Sequence, residues 1–359
     1  MWGQAPNVRL SRLREVSWNQ DIEEFLRERG VLQVGFATVE TLAGGPPSVD
    51  LSYKLPGARS AISFALPFRR DAIRAFLAKE DRVPHEHDNL ETNLRAKDLS
   101  WELAKMLERE GFPSKGTAAN LKYRTEIQGW QLTLPPDLSH RYLAVRSGVG
   151  SFGWSGNVGI KGFGTAVILG TCLTTLALEP TAPVPVEESF CDRCKLCHAS
   201  CPVEMFDKEL EASVDIGGVT FSHARRKSIL LCQFCCGGFT GLHRSRKWSS
   251  WSPGRFRVPE DEKELLNELL RAIALYAKRP VMPGGYEHSA LKGAKQYMTC
   301  GNCQIVCWGD KKETAHNVKL LKTSGCVLQE PDGSLYALPP EEAARAFEKI
   351  EPERKQLYC

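Results

Sequence analysis

Apolar and polar residues along the first half of this chain follow the rhythms of alternating helices and strands. Leu90, Leu94, Leu99, Leu103 and Met106 fall near one face of a helix over Asn89–Glu110, which Gly111 and Pro113 end. Ser17 is placed to cap an earlier helix, Asp21–Arg29, that stops at Gly30. Val31–Val39 and Ala58–Leu66 read as strands, the second stopped by Pro67. Residues 117–135 are expected to hold strand and loop. His140–Ser147 reads as a short helix running into a glycine-rich segment, and Ala166–Leu178 as a largely apolar strand. Helices alternating with strands predict an α/β or α+β domain of two or three layers.

Pro180–Pro185 contains three prolines in six residues and reads as a linker. It separates a first domain, 1–182, from a cysteine-rich domain, 183–312, which carries a charged helix over Pro259–Lys278. Residues 313–359 form a C-terminal segment.

Composition narrows the class. The chain has 359 residues, 42% of them hydrophobic, and a net charge of +4 with both signs interspersed. That balance belongs to a globular protein and does not by itself argue for nucleic acid. The basic cluster His243–Lys247, followed by Trp248 and Trp251, is expected to be a solvated loop rather than a phosphate site. The start, Met1-Trp-Gly-Gln-Ala-Pro, shows no signal peptide or twin arginine. No apolar run reaches the roughly eighteen residues of a membrane span. The thirteen cysteines lie mostly in C-x-x-C spacing, which favours metal over disulfides. A cytoplasmic protein is expected.

The chemistry is concentrated in two runs. Cys191, Cys194, Cys197 and Cys201 before Pro202 form the C-x2-C-x2-C-x3-C-P run of a bacterial-ferredoxin site, in which the fourth cysteine serves a second cluster. Cys300, Cys303 and Cys307 supply the second set. Two four-iron four-sulfur clusters are expected, one on Cys191, Cys194, Cys197 and Cys307, the other on Cys201, Cys300, Cys303 and an eighth cysteine. The eighth is Cys232, Cys235 or Cys236, with Cys232 the first choice. A structural zinc site needs only four ligands and leaves this longer run unexplained. Cys172, Cys326 and Cys359 are expected to be packed or incidental thiols. Trp308, directly after Cys307, is placed to shield a cluster or simply to pack.

Between the sheet and the first run lies Arg146-Ser-Gly-Val-Gly-Ser-Phe-Gly-Trp-Ser-Gly-Asn157. Its glycines, Gly148, Gly150, Gly153 and Gly156, let backbone come close to a flat ligand. They match G-x-G-x-x-G formally but follow a helix and lack a downstream ribose-binding acid, so no dinucleotide fold is expected.

The order of these motifs resembles the cobalamin-dependent iron–sulfur reductases, the epoxyqueuosine reductases and their relatives the reductive dehalogenases. The likeness covers about residues 140–310: the glycine segment, the strand ending in Thr174-Thr175, the first cysteine run, one distant cysteine and the second run. It implies a nitroreductase-like sheet carrying base-off cobalamin, followed by a ferredoxin-like part with two clusters. Gly148, Gly150, Gly153, Trp154 and Asn157, with Val203 and Met205 after Cys201-Pro202, would lie against the corrinoid. The first cluster would sit near it and feed electrons to cobalt. The family's proton-donating aspartate falls in register with Leu134 here, while Asp137 lies three residues on. His140-Arg141 stands where the family has Glu-Arg, and Ser155-Gly156-Asn157 where it has a G-K-N step. A substrate other than epoxyqueuosine is therefore expected.

Reduction at carbon or oxygen needs a proton donor. Tyr123, beside Arg124, is similar to the tyrosine and basic neighbour of the dehalogenases. Asp137, His140, Arg141 and Tyr142 are further candidates. Tyr123 can equally be an ordinary packed strand residue, and His140 can orient its loop instead of donating near neutral pH. The expected activity is reduction of a small-molecule substrate, with electrons from an external donor such as ferredoxin or flavodoxin. Alternatives are a redox partner for another enzyme's corrinoid and a tRNA epoxyqueuosine reductase, which alone calls for nucleic acid.

Overall fold

The structure is a computed structural model that describes residues 17–118, 122–259, 261–287 and 295–359. Ser17 and Gln20 form a reciprocal capping box that starts helix α1 (Trp18–Arg27). Its buried Ile22 and Leu26, four residues apart, share one face. The main sheet has four strands in the order β1 (Gln33–Thr38), β2 (Ser60–Pro67), β6 (Val167–Thr174) and β3 (Ser114–Gly116). All three pairings are antiparallel, with Phe36 opposite Ile62 and Ile62 opposite Cys172. The mixed α and β architecture expected from the sequence is present, without a parallel βαβ unit in this sheet.

The two faces of β2 differ in size. Ile62, Phe64 and Leu66 pack with α1 and the long helix α3 (Val83–Arg109). Ala61 and Ala65 face the other way and let helix α5 (His140–Arg146) settle close to the sheet. At Gly35 this approach is extreme: a Cβ there would stand 2.1 Å from the Ser147 carbonyl oxygen. α3 begins six residues before the predicted start. Its opening turns bury His85, Glu86, Asp88 and Thr92, polar residues that hide a core face from an apolar pattern. Residues 122–137 hold one short helix, α4 (Trp130–Thr133), and an isolated bridge between Tyr123 and Pro136. Helix α2 (Arg70–Ala78) joins β2 to α3.

The glycine segment folds into a minimal hairpin, β4 (Ser151–Phe152) with β5 (Val158–Gly159). The proline-rich stretch after β6 is held along β1: Thr181 N donates to Phe36 O at 2.9 Å and accepts from Phe36 N at 2.9 Å through Oγ1. Short helix α6 (Leu196–Ala199) carries Cys197 and is followed by a long hairpin, β7 (Phe206–Ile216) with β8 (Val219–Arg226). Gly217 and Gly218, with φ of +58° and +75°, turn it. Helix α7 (Ile229–Cys236) brings three cysteines, and α8 (Glu262–Tyr276) is the predicted charged helix. Strands β9 (Tyr286–Glu287) and β10 (Lys295–Gln296) precede α9 (Asn302–Ile305) and α10 (Lys311–Thr323). A last hairpin, β11 (Cys326–Gln329) with β12 (Leu335–Leu338), leads to α11 (Pro340–Glu348) and α12 (Pro352–Lys355).

One apolar cluster joins Phe76 and Leu77 of α2 to Trp248, Trp251, Trp308 and Val327. Trp248 and Trp251 are thus core residues, and Trp251 Nε1 donates to Phe76 O at 2.8 Å. No described helix is long and apolar enough to cross a membrane.

Candidate metal centres

The first cysteine run turns inward by backbone strain. Arg193 and Lys195, between Cys191 and Cys197, take φ of +57° and +60°. Non-glycine residues hold such angles where the surroundings impose them. The result is a cavity of about 140 Å³ lined by Cys191, Cys194, Cys197 and, from the distant run, Cys307. Cys307 is close enough to Cys191, Cys194 and Cys197 for their charges to act on one another. Burial pushes the Cys194 thiol up to about 11 and Cys197 to about 12. As free groups they are protonated at neutral pH, and a metal must displace those protons. Trp154 N donates to Cys191 Sγ at 3.3 Å, and the backbone N–H groups of Leu196, His198 and Gly309 serve Cys194, Cys197 and Cys307.

Cys201 turns away from that cavity. Burial pushes it up to about 12, and its charged neighbours are Cys300 and Cys232. Cys303 feels Cys232, Cys201 and Cys300. Met205 N donates to Cys201 Sγ at 3.4 Å, and Asn157 Nδ2 to Cys303 Sγ at 3.5 Å. On α7, Cys232 and Cys236 lie one turn apart with their sulfurs at 3.6 Å. The thiols of Cys235 and Cys236 donate to Cys300 and hold it below the ordinary thiol range. Six cysteines therefore gather in the second set. Among the described residues, no three Cys, His, Asp or Glu side chains converge on the position of a single ion. One zinc at 2.3 Å from each sulfur would draw four of them to about 3.7 Å of each other. Two sets of cysteines, several of whose sulfurs are met by backbone N–H groups, suit cubanes. Cys172 and Cys326 are buried elsewhere and Cys359 is exposed.

The other expected site residues divide into three groups. Trp154, Val203 and Met205 pack with Cys191, Cys197, Cys201, Cys232 and Cys303 as an apolar wall between the two sets. Gly148, Gly150 and Gly153 are crowded on the side a Cβ would take. A Cβ at each would stand 2.2 Å from Ala182 O, 2.4 Å from Gly159 O and 2.9 Å from Phe190 Cζ respectively. On that side these glycines admit the chain's own backbone and Phe190. A cleft of about 250 Å³ does open beside them, between Phe152, Trp154, Val186 and Phe221 and reaching Cys191.

The acid–base candidates do not converge. His140 and Arg141, adjacent on α5, point apart. His140 is buried, with Nδ1 2.8 Å from Thr171 Oγ1, and burial pushes it down to about 4. That favours the reading in which His140 orients its loop over the one in which it donates near neutral pH. Asp137 is buried in an ion pair with Lys54. Tyr123 stacks on Trp130 at 6.2 Å, while Arg124 bonds Pro47 O and lies 3.7 Å from the Tyr53 ring centre. Arg141 instead donates to Gly156 O at 2.6 Å, toward the second cysteine set. Tyr142 meets Phe152 edge-on at 6.2 Å. Arg226 and His223 of β8 also enter this region, and neither was expected from the sequence. The Gly217-Gly218 turn between alternating residues was the available signal. At the basic cluster, His243 stacks on Trp248 at 4.8 Å and Arg244 pairs with Glu204 at 2.8 Å.

No family model matches the chain. The epoxyqueuosine reductase of Atelocyanobacterium thalassa (isolate ALOHA) is 26% identical over 181 residues, 49% of this chain and 52% of the relative. The chain thus spans about half the length of that curated relative. Among solved structures, it is similar to the epoxyqueuosine reductase of Streptococcus thermophilus, with a TM-score of 0.37 and 19% identity over 56% of this chain and 55% of that one. An epoxyqueuosine reductase solved with an epoxyqueuosine-modified tRNA-Tyr stem loop gives a TM-score of 0.44 and 16% identity over 94% of this chain and 73% of that one. A reductive dehalogenase whose structure suggests a mechanism for B12-dependent dehalogenation gives 0.47 and 14% over 74% and 36%. The likeness to epoxyqueuosine reductases expected from the order of cysteines is borne out in sequence by that curated relative.

Proposed function

We propose that this chain is a cytoplasmic oxidoreductase that carries electrons through two four-iron four-sulfur clusters to cobalamin and reduces a small substrate. An external donor such as ferredoxin or flavodoxin supplies the electrons. The supporting observation is the sorting of the cysteines: Cys307 lies with Cys191, Cys194 and Cys197, and Cys201 with Cys300, Cys303 and Cys232. Clusters held there supply one-electron transfer. The chain's own part is to orient the thiols, donate N–H groups to them, and exclude water with Trp154, Val203 and Met205. The nitroreductase-like and ferredoxin-like division at residues 182 and 312 belongs to this same reading.

The residues fit the clusters. Gly148, Gly150 and Gly153 are crowded on the side a Cβ would take, while Gly150 and Gly153 line the adjoining cleft of about 250 Å³. The cobalamin part of the reading rests on the resemblance alone.

Anaerobic purification with added cobalamin, followed by iron, sulfide and cobalt analysis, tests the proposal. About eight irons and one cobalt per chain are expected. Four irons, or zinc, would end the two-cluster reading. Eight irons without cobalt would favour a redox partner that reduces another enzyme's corrinoid.

The name of the curated relative supports a second reading, reduction of epoxyqueuosine in tRNA. Asp137 is the carboxylate nearest in sequence to the expected donor position, and Lys54 already holds it in an ion pair. General acid catalysis contributes about a hundredfold to ten-thousandfold, so only trace conversion is expected. Queuosine formation from epoxyqueuosine-containing tRNA at an enzyme's ordinary rate would establish the second reading instead.

A further inference from the structure

Two arginines that have no acidic partner among the described residues meet beside the second cysteine set. Arg226 on β8 donates to the Ser155 carbonyl through Nε at 3.0 Å and Nη2 at 2.6 Å. Arg141 on α5 donates to the next carbonyl, Gly156 O, at 2.6 Å. Arg226 also reaches Asn157 Oδ1 at 3.4 Å, and the same amide donates from Nδ2 to Cys303 Sγ at 3.5 Å. Gly156 makes room for this meeting. Its φ is +71°, and a Cβ there would stand 2.9 Å from His223 Cγ and 3.1 Å from Arg226 Nη2.

Among the described residues, neither arginine forms an ion pair, whereas the adjacent Arg225 pairs with Asp207 at 3.2 Å. Burial, and then the Arg226 charge, pushes Arg141 down to about 10. Two half-buried cations this close to one another are costly unless an anion stands near them. The groups beside Arg226 that can become anionic are first the thiols of Cys303 and Cys232, then the Tyr142 hydroxyl. The first cavity is different: Lys195 and Lys311 line it together with Asp192 and Asp310.

We infer that Arg226, acting through Asn157, and Arg141 form the positive shell of the second cluster and hold its reduction potential above that of the first. This rests on the two-cluster reading. Reduction adds one negative charge to an already anionic cluster, and a fixed cation in a medium of low dielectric favours the reduced form. The N–H bond from Asn157 to the Cys303 sulfur acts in the same direction. The two clusters are then unequal, and an electron entering the chain rests on the second.

The test is a redox titration followed by electron paramagnetic resonance on anaerobically reconstituted protein, with iron counted on every sample. Arg226→Gln and Asn157→Leu should each make reduction of the second cluster at least tenfold less favourable, a shift of 59 mV or more for one electron. The first cluster should keep its potential. Arg226→Lys should restore most of the shift, and Arg225→Gln should cause none. Should Arg226→Gln fail to assemble, the Asn157→Leu shift decides. Eight irons with unmoved potentials in both variants, or equal movement in Arg225→Gln, overturns the inference alone. Fewer than eight irons in the unmutated protein overturns the two-cluster reading and the inference with it.

Discussion

At the scale of single residues, Gly153 meets the ring of Phe190, directly before Cys191, at 2.9 Å from where its Cβ would be. Gly153→Val therefore pushes on the loop that carries the first cysteine. Overpacking of this kind costs about 1–3 kcal/mol, and iron should be lost from the first set in preference to the second. Iron content and thermal unfolding of the variant measure both effects, and full iron with unchanged stability would contradict this account. His85 and His140 make a second residue-scale prediction. Burial pushes both down to about 4, and both nitrogens of His85, between the rings of Phe68 and Phe76, lack a hydrogen-bond partner among the described residues, with Asp88 Oδ2 at 3.9 Å from Nδ1. A histidine held neutral in the fold and free to protonate when unfolded stabilises fully above its ordinary pKa of about 6.5. That contribution is lost as pH falls toward 4, by up to about 3 kcal/mol per ring. Urea unfolding should show stability level above pH 7 and falling between pH 6.5 and 4, with the slope roughly halved in His85→Leu.

Elements were legible where their apolar face was continuous and hidden where it was polar. The strands β1, β2 and β6 and helix α5 lie within two or three residues of their expected places at most ends, because each presents an unbroken apolar or capped segment. β6 ends at Thr174, four residues short of the expected Leu178, where the chain leaves the sheet. The first turns of α3 escaped because they bury charged and polar side chains. The β7–β8 hairpin escaped because Lys208, Glu209 and Glu211 are exposed and the pairing shifts register between Phe206 and Glu211. Yet this hairpin delivers His223 and Arg226 to the glycine segment. Its tip is latched to the loop after β1: Gly217 N donates to Ala43 O at 2.9 Å, and a Cβ on Gly217 would stand 2.0 Å from Thr41 O. Gly217 also holds φ of +58°. Gly217→Val should release the latch while leaving the four-stranded sheet intact. Hydrogen exchange is the suitable measurement, since it resolves local opening from global unfolding. Faster exchange confined to 206–226 is expected; protection equal to the unmutated protein would show that the tip does not hold the hairpin.

Over the whole molecule, the two cysteine runs cross. The spacing of the first run already implied that its fourth cysteine leaves the set, so this part of the site was readable from residue order. The eighth position was not, because Cys232, Cys235 and Cys236 follow one another on α7 and only the fold shows which way each sulfur faces. Cys232 acts on Cys201 and Cys303, while Cys236 is exposed and its thiol bonds Cys232 and Cys300. The crossing makes a prediction that runs against sequence proximity. Cys201→Ser should damage the same cluster as Cys303→Ser and Cys232→Ser, although Cys201 belongs to the first run. Cys307→Ser should damage the same cluster as Cys194→Ser, although Cys307 belongs to the second. Cys236→Ser should leave both clusters in place. The checks are iron counts and the resonance signal that survives in each variant, compared pairwise. Pairing by run, with Cys201 grouped with Cys194, would mean that the sorting of sulfurs seen here is not the sorting of ligands. Loss of a cluster in Cys236→Ser but not in Cys232→Ser would keep the crossing and move the eighth ligand one turn along α7.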